Sequence, residues 1–213
     1  MKIARSIGSL LQQGVRGAMA VAGRASAASR ADTSDQRSAE ELELLELLAE
    51  DFAVYDGRLT EPGLWAVVAH RLGSHGTAVD SELGKRVFAA AHRMLSAGVD
   101  TFWGIDLPGS VRLGRRVRLW HSGCMRLHAK SIGDDVSIRH DTTLGPMRLR
   151  NADGGPSEEL PTIESRVELG SGVCVLGDVR VGHDAMVGAN SLVIKDVPPA
   201  VTAMGVPARI IPS

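Results

Sequence analysis

A repeat of six residues runs through the second half of the chain and restricts its fold more than any other feature. Aliphatic side chains recur at every sixth position, on both sides of one interruption. They are Ile132, Ile138 and Leu144, followed by Ile163, Leu169, Val175, Val181, Val187 and Val193. A second column, two positions earlier, holds no residue larger than valine. Because a helix repeats about every 3.6 residues and a strand every two, neither explains a period of six.

This period predicts a left-handed parallel β-helix, in which three six-residue segments form one triangular coil. The recurring aliphatic residue points inward, and each coil stacks on the next to bury one continuous column. Composition agrees, because aromatic residues make up only 3% of the chain and glycine occurs 24 times. The interruption at 146–161 contains Gly154, Gly155 and Pro156, so we expect it to be a loop outside the prism.

The region before the repeat has helical periodicity and predicts three helices. Ser38 and Glu41 form a capping-box pattern at the start of the first, and Pro62 begins the second. The third is expected over 81–97. The predicted fold class is therefore α+β, with a helical domain at 38–103 followed by a left-handed parallel β-helix of hexapeptide repeats at 104–213.

Residues 1–37 are basic, with no acidic residue before Asp32, and we expect a flexible arm. A transit peptide or a helix on a membrane surface is the alternative. The whole chain carries 24 Lys and Arg against 25 Asp and Glu, which does not favour a nucleic-acid partner. No apolar run approaches the ~20 residues of a transmembrane helix, and we expect a cytoplasmic protein.

Four segments resemble the serine O-acetyltransferase family of hexapeptide acyltransferases, over about residues 40–211. They are "GIDLPGSVRLGRRVRLWHSG", "IGDDVSIRHDTTLG", "VLGDVRVGHDAMVGANSLVIKDVPP" and "GVPARII". The first is more similar to a subgroup associated with exopolysaccharide or secondary-metabolite synthesis. The resemblance implies an acetyl-CoA-dependent O-acetyltransferase with no permanently bound cofactor. It also implies that His121 is the general base and that Asp106 orients its imidazole.

The acceptor-binding residues depart from the family pattern. Trp120 replaces an aspartate before His121, and Glu159 and Leu160 replace an arginine–histidine pair that helps to hold serine. Because glutamate cannot bind a carboxylate as arginine does, we expect a sugar or a specialised metabolite as the acceptor. L-Serine, or a catalytically inactive trimeric scaffold, is the alternative. Trp120, His128 and Glu159 are the candidate acceptor-binding residues, although Trp120 could merely pack and His128 could lie at a subunit interface.

The resemblance also assigns a binding groove for acetyl-CoA between two neighbouring prisms, which implies a homotrimer or a dimer of trimers. The candidate groove residues are Gly145, Ser171, Gly172, Ala189, Asn190, Lys195 and Arg209. The two cations are assigned to the phosphates. A metal site formed by His121, His128 and His140 is disfavoured, because structural zinc sites usually have four ligands, often thiolates.

Overall fold

A computed structural model describes residues 44–120, 123–148 and 159–211. Three helices come first: α1 (Leu44–Val54), α2 (Pro62–Ala78) and α3 (Glu82–Trp103). A parallel β-solenoid of about five turns follows. This confirms the predicted fold class. The predicted flexible arm at 1–37 and residues 149–158 of the predicted loop lie outside the described residues.

The strands of the described residues form three sheets, which are the faces of a triangular prism. Face A contains β1 (Ile105–Asp106), β4 (Met125–Leu127), β7 (Thr143–Gly145), β10 (Cys174–Leu176) and β13 (Leu192–Val193). Face B contains β2 (Arg112–Leu113), β5 (Ser131–Ile132), β8 (Thr162–Ile163) and β11 (Arg180–Val181). Face C contains β3 (Arg118–Trp120), β6 (Ser137–Arg139), β9 (Glu168–Leu169), β12 (Met186–Val187), β14 (Thr202–Met204) and β15 (Arg209–Ile211).

The register of these strands explains the six-residue repeat. Ile163 pairs with Val181, and Leu169 pairs with Val187, so one coil takes 18 residues. All members of the aliphatic column are buried inside the prism. Ile132 pairs with Ile163, which is 31 residues later, so the interruption enters between β7 and β8 without changing the register. The pairing of β14 with β15 is antiparallel and ends the stack of parallel strands.

The helices pack against the first coil through buried polar contacts. The Arg71 guanidinium donates to both carboxylate oxygens of Asp51, at 3.0 and 3.4 Å, and also to the carbonyl oxygens of Leu113 and Gly114. Burial raises the pKa of Asp51, and the charge of Arg71 opposes that rise. The Tyr55 hydroxyl accepts a hydrogen bond of 2.9 Å from the Leu119 N–H. These contacts join α1 and α2 to β2 and β3.

His70 forms a further buried contact between α2 and the prism. Its Nε2 lies 2.8 Å from the carbonyl oxygen of Val111, which can only accept, so Nε2 carries the proton. Nδ1 is buried and has no hydrogen-bond partner in the described part of the chain. Burial lowers the pKa of His70 to about 4. The imidazole is therefore neutral at pH 7.

The third helix differs from its prediction in length and in the exposure of its apolar side. It extends to Trp103, six residues beyond the predicted end, and Gly104 caps it at φ 65°. Gly98 was a poor stop signal because it lies within a helix that continues through buried Val99. Leu83, Val87 and Met94 are 72%, 59% and 78% exposed, so no described residue covers this side of α3.

Between faces B and C, charged residues in left-handed conformation stack from coil to coil. Arg116, Asp135, Arg166 and Asp184 have φ values of 54° to 59°. Two bidentate ion pairs result: Arg116 with Asp135, and Arg166 with Asp184, each with N–O distances of 2.6 and 2.7 Å. Hydrogen bonds from Arg166 and His183 lower the pKa of Asp184. Both pairs are partly or largely exposed, so their contribution to stability is small.

Candidate active site

The corner between faces C and A brings together four of the predicted groove residues. Backbone hydrogen bonds stack its successive coils: Asp141 N–H donates to Gly123, Gly172 N–H to His140, and Asn190 N–H to Ser171, at 2.8–3.1 Å. Ser171, Gly172, Ala189 and Asn190 therefore lie on two adjacent coils of one edge. We call the described residues of this edge, from 123–124 to 188–191, the C–A corner.

Small side chains are required at the C–A corner by the close approach of its backbones. A Cβ atom at Gly170 would lie 2.7 Å from the Ala189 nitrogen, which is closer than a side chain can come. Gly172 has φ +69°, a conformation that suits glycine, and a Cβ there would collide with the Asn190 side chain. Glycine at these two positions therefore lets successive coils stack closely along this edge.

The other three groove candidates lie elsewhere on the prism. Gly145 ends β7 on face A, and the space where its Cβ would be is open for 4 Å. Lys195 follows β13 at the opposite edge of face A, and Arg209 lies in β15 at the end of face C. Both cations are exposed, and neither contacts another described side chain. They are available to bind anions, but they lie at different edges of the prism.

His121, the predicted base, lies outside the described residues, so its contacts are not described. Its neighbour Trp120 is half-buried and donates from Nε1 to the Ser137 hydroxyl at 2.7 Å. The Arg118 guanidinium carbon lies 3.7 Å from the centroid of the Trp120 ring, a cation–π contact. Trp120 therefore packs against its own face of the prism on at least one side of its ring.

The described partners of Asp106 are Arg126, which lies in β4, and His128, which directly follows β4. Its Oδ2 accepts a hydrogen bond of 2.7 Å from His128 Nε2, and Arg126 Nε lies 3.7 Å from the same oxygen. Asp106 pairs in register with Arg126, which places β4 directly beside it on face A. The sequence assigned Asp106 to His121 and missed this pair, because Asp106 and His128 are 22 residues apart, which is longer than the regular coil.

Of the other two candidate acceptor residues, Glu159 lies near His128, at the edge of face A opposite the C–A corner, and Trp120 does not. Glu159 is exposed and lies two residues before Pro161, whose carbonyl accepts from the N–H of Lys130 at 2.8 Å. Lys130 in turn lies two residues after His128, so Glu159 and His128 occupy neighbouring coils of one edge. Trp120 is separated from them by the whole of β4. The structure thus divides the three candidate acceptor residues between two edges.

A cavity beside Asp106 was not predicted. It has a volume of about 230 Å³ and lies between α2, α3 and β1. Its lining includes Asp100, Asp106 and His92, whose Nδ1 hydrogen-bonds the Ala69 carbonyl at 2.8 Å. Because His92 and Asp100 come from α3 and Asp106 comes from β1, its polar lining depends on packing that the sequence pattern does not specify.

The described residues contain neither a cluster of metal ligands nor a membrane-spanning helix. Across residues 44–120, 123–148 and 159–211, no three His, Cys, Asp or Glu side chains are grouped as metal ligands. None of the helices in those ranges is long and apolar enough to cross a membrane. The cysteines of these ranges are free thiols. Cys124 is exposed, and Cys174 is half-buried.

The chain is similar to known proteins of the same architecture. No model of a protein family matches the chain. It is 37% identical over 152 residues to a serine acetyltransferase of Mycobacterium tuberculosis, covering 70% of the chain and 61% of that protein. It is 34% identical over 154 residues to a serine acetyltransferase of Helicobacter pylori (strain J99), covering 72% of the chain and 83% of that protein.

Solved structures give the same result. The chain superposes on soybean serine acetyltransferase with a TM-score of 0.65 and 27% identity, covering 79% of this chain and 69% of that one. A Brucella abortus serine acetyltransferase in complex with coenzyme A gives a TM-score of 0.63 and 28% identity, covering 78% and 66%.

The fold and its small-residue corner define a hexapeptide-repeat acyltransferase, as predicted. The match with the Helicobacter protein narrows the class, and the chain belongs to the serine acetyltransferase family. The prediction of an acetyl-CoA-dependent acyltransferase is thereby confirmed at the level of the family. The resemblance to an exopolysaccharide or secondary-metabolite subgroup stays a prediction. The chain spans less than two thirds of the length of the Mycobacterium relative.

Proposed function

We propose that this protein transfers the acetyl group of acetyl-CoA to the hydroxyl of L-serine. The observation that carries the proposal is the 34% identity to a serine acetyltransferase of which the chain covers 83%. The relatives favour L-serine over the sugar or specialised metabolite expected from the sequence. The coenzyme A complex of the Brucella relative supports acetyl-CoA as the donor.

In the proposed mechanism His121 is the general base and Asp106 is its orienting carboxylate. The imidazole accepts the proton of the acceptor hydroxyl as that oxygen attacks the thioester carbonyl. The new ester C–O bond forms, the C–S bond breaks, and the proton on the imidazole passes to the leaving thiolate of coenzyme A. Attack is direct, so neither Cys124 nor Cys174 is required for a covalent intermediate.

The C–A corner is proposed as the floor of the acetyl-CoA groove. Ser171, Gly172, Ala189 and Asn190 stack on two coils there, and their short side chains suit an extended pantetheine arm lying against the coils. Lys195 and Arg209 are proposed to bind phosphates, which their exposure and their lack of contacts with described side chains support. Since they lie at different edges of the prism, both can contact one acetyl-CoA only if two subunits contribute to the groove.

That geometry supports the proposed homotrimer, in which a groove lies between neighbouring prisms. The exposed apolar side of α3, which includes Leu83, Val87 and Met94, also favours self-association, because exposed apolar stripes of this kind commonly mark interfaces. Two such trimers can be joined through the helical layer into a hexamer, and light scattering distinguishes the two masses.

A different hydroxyl-bearing acceptor is the second candidate, and Glu159 is the observation that favours it. Glu159 occupies the position of a family arginine that helps to hold serine, and its exposed carboxylate repels the carboxylate of an amino acid. If L-serine is the acceptor, another cation must replace that arginine. Arg126, beside Asp106 and His128, is the described cation in the right neighbourhood.

The test is release of free coenzyme A, followed with a thiol reagent, from acetyl-CoA and a panel of acceptors. Saturable, sub-millimolar use of L-serine supports the proposal. Preference for a sugar or for a hydroxyl compound without a carboxylate supports the second candidate. If no acceptor works but acetyl-CoA binds by calorimetry, the activity proposal is wrong and the inactive scaffold is favoured. A His121→Asn variant controls for thioester hydrolysis that does not involve the site.

A further inference from the structure

Asp106 and His128 form a carboxylate–imidazole pair on the outer surface of face A. The residues on either side of each are buried, so both side chains project outward from the prism. Oδ2 of Asp106 lies 2.7 Å from Nε2 of His128, and the two side chains are 36% and 37% exposed. Side chains this exposed usually have several orientations. A short contact between them indicates that each fixes the other.

The direction of this hydrogen bond follows from its chemistry. An ionised carboxylate can only accept, so Nε2 of His128 donates to Asp106. No described residue forms a hydrogen bond with His128 Nδ1 or Asp106 Oδ1. The backbone of His128 is itself fixed, because its N–H donates to the Leu144 carbonyl at 3.1 Å. The backbone that carries His128 is therefore fixed. His128 Nδ1 and Asp106 Oδ1 each lack a hydrogen bond to a described residue.

Arg126 is the competing partner for the same carboxylate. Its Nε lies 3.7 Å from Asp106 Oδ2, beyond ordinary hydrogen-bond distance. Arg126 is in register with Asp106 on the neighbouring strand, so a small rotation of the carboxylate would bring the two together. His128 holds Oδ2 and thereby limits that rotation, which keeps Oδ1 available.

We propose that His128 is a positioning residue for acetyl transfer, which acts through Asp106 by holding its carboxylate in one orientation. The inference rests on the proposed function, in which Asp106 orients the catalytic base. It gives His128 a different role from the acceptor binding or interface packing expected from the sequence. Loss of orientation affects the rate of the chemical step rather than the binding of either substrate.

The expected kinetic effect separates this role from others. His128→Ala removes the donor and should lower kcat about 10- to 100-fold, the range expected for a displaced catalytic group. The KM values for acetyl-CoA and the acceptor should change by less than about threefold, because the variant leaves the contacts that bind the two substrates unchanged. His128→Gln keeps an N–H donor at the position of Nε2 and should recover most of the lost rate.

The chain offers a matched control in a second imidazole–carboxylate pair. His183 Nδ1 lies 2.8 Å from Asp184 Oδ2 and is also partly exposed, at the corner between faces B and C. His183→Ala removes the same kind of contact away from Asp106, so kcat should stay at the wild-type value. Thermal melts of all variants report whether any loss of rate comes from unfolding.

A spectroscopic readout tests the pair without any activity. In the full chain, the Nε2–H proton of His128 should give an observable, slowly exchanging NMR resonance. Asp106→Ala should abolish this resonance, and His183→Ala should leave it unchanged. If the wild-type enzyme acetylates nothing, the proposed function fails, while the resonance still reports whether the pair exists.

Four results would overturn the inference. An unchanged kcat for His128→Ala would show that the orientation of Asp106 does not depend on His128. A raised acceptor KM with unchanged kcat would make His128 an acceptor-binding residue. A His128→Gln variant as slow as His128→Ala would mean that the imidazole, and not its N–H donor, is required. A resonance that survives Asp106→Ala would show that the hydrogen bond is absent in solution.

Discussion

Acidification should destabilise the protein through His70, the buried imidazole between α2 and the prism. In the folded chain the pKa of His70 is lowered to about 4 by burial, from an ordinary value of 6.5. As pH falls below 6.5, the unfolded chain binds a proton at this site and the folded chain does not. The contribution to stability is therefore complete above pH 6.5 and is lost as pH falls towards 4.

The magnitude follows from the two pKa values. Over the whole window the difference corresponds to about 3 kcal/mol, of which about 2 kcal/mol is lost between pH 7 and pH 5. The physical cause is specific: Nε2 already donates to the Val111 carbonyl, and no described group accepts a proton placed on Nδ1. Protonation would leave a buried charge with one hydrogen bond.

The assay compares urea unfolding of the wild type and of His70→Gln at several pH values. Glutamine keeps a donor for Val111 but does not titrate, so the difference in the free energy of unfolding between the two proteins isolates His70. Protein concentration must be equal throughout, because association stabilises folded subunits. Parallel pH dependence of the two proteins would refute the reasoning, as would an NMR titration of folded His70 near pH 6.5.

Three further predictions concern the buried ion pair, the base and the assembly. Asp51→Asn should cost about 3–5 kcal/mol in urea unfolding, because it leaves the Arg71 guanidinium buried without its counter-charge. Arg166→Ala, which breaks an exposed pair of similar geometry, should change the midpoint far less, and equal effects would contradict the role of burial. His121→Asn should lower turnover about 10²- to 10⁴-fold with calorimetric binding of acetyl-CoA retained, whereas near-full activity would exclude His121 as the base. Light scattering should give three or six times the subunit mass, and a monomer at micromolar concentration would contradict the shared groove.

The six-residue repeat could be read directly from the sequence because its cause is local. Each six-residue segment of the prism needs one inward aliphatic residue and one small residue at fixed spacing. The positions of residues such as Ile163 and Val181 in the sequence therefore predict which of them pair. The groove residues were assigned by resemblance to the family, and the regular coil brings four of them to one edge. Ser171 and Asn190 belong to consecutive repeats, and the spacing of one coil is enough to bring them to one edge.

The partners of the chemical groups required the tertiary structure. The step from Ile105 to Met125 is 20 residues rather than 18, so the repeat did not specify which side chain of β4 would lie beside Asp106. Stacking of the first two coils places Arg126 in register with Asp106 and brings His128, which follows β4, within hydrogen-bond distance of its carboxylate. The sequence also did not predict where α3 ends, because Gly98 and Gly104 can each end a helix. In the structure Val99 is buried and the helix continues to Trp103.

The sequence by itself determined the β-helix and its helical layer, because each depends on a periodicity of neighbouring residues. The tertiary structure decided which groups contact across coils and layers: Asp51 with Arg71, His70 with Val111, and Asp106 with His128. These contacts depend on the length of each coil and on where the helices meet the prism. Both are set by packing of the whole molecule, which a local pattern does not encode.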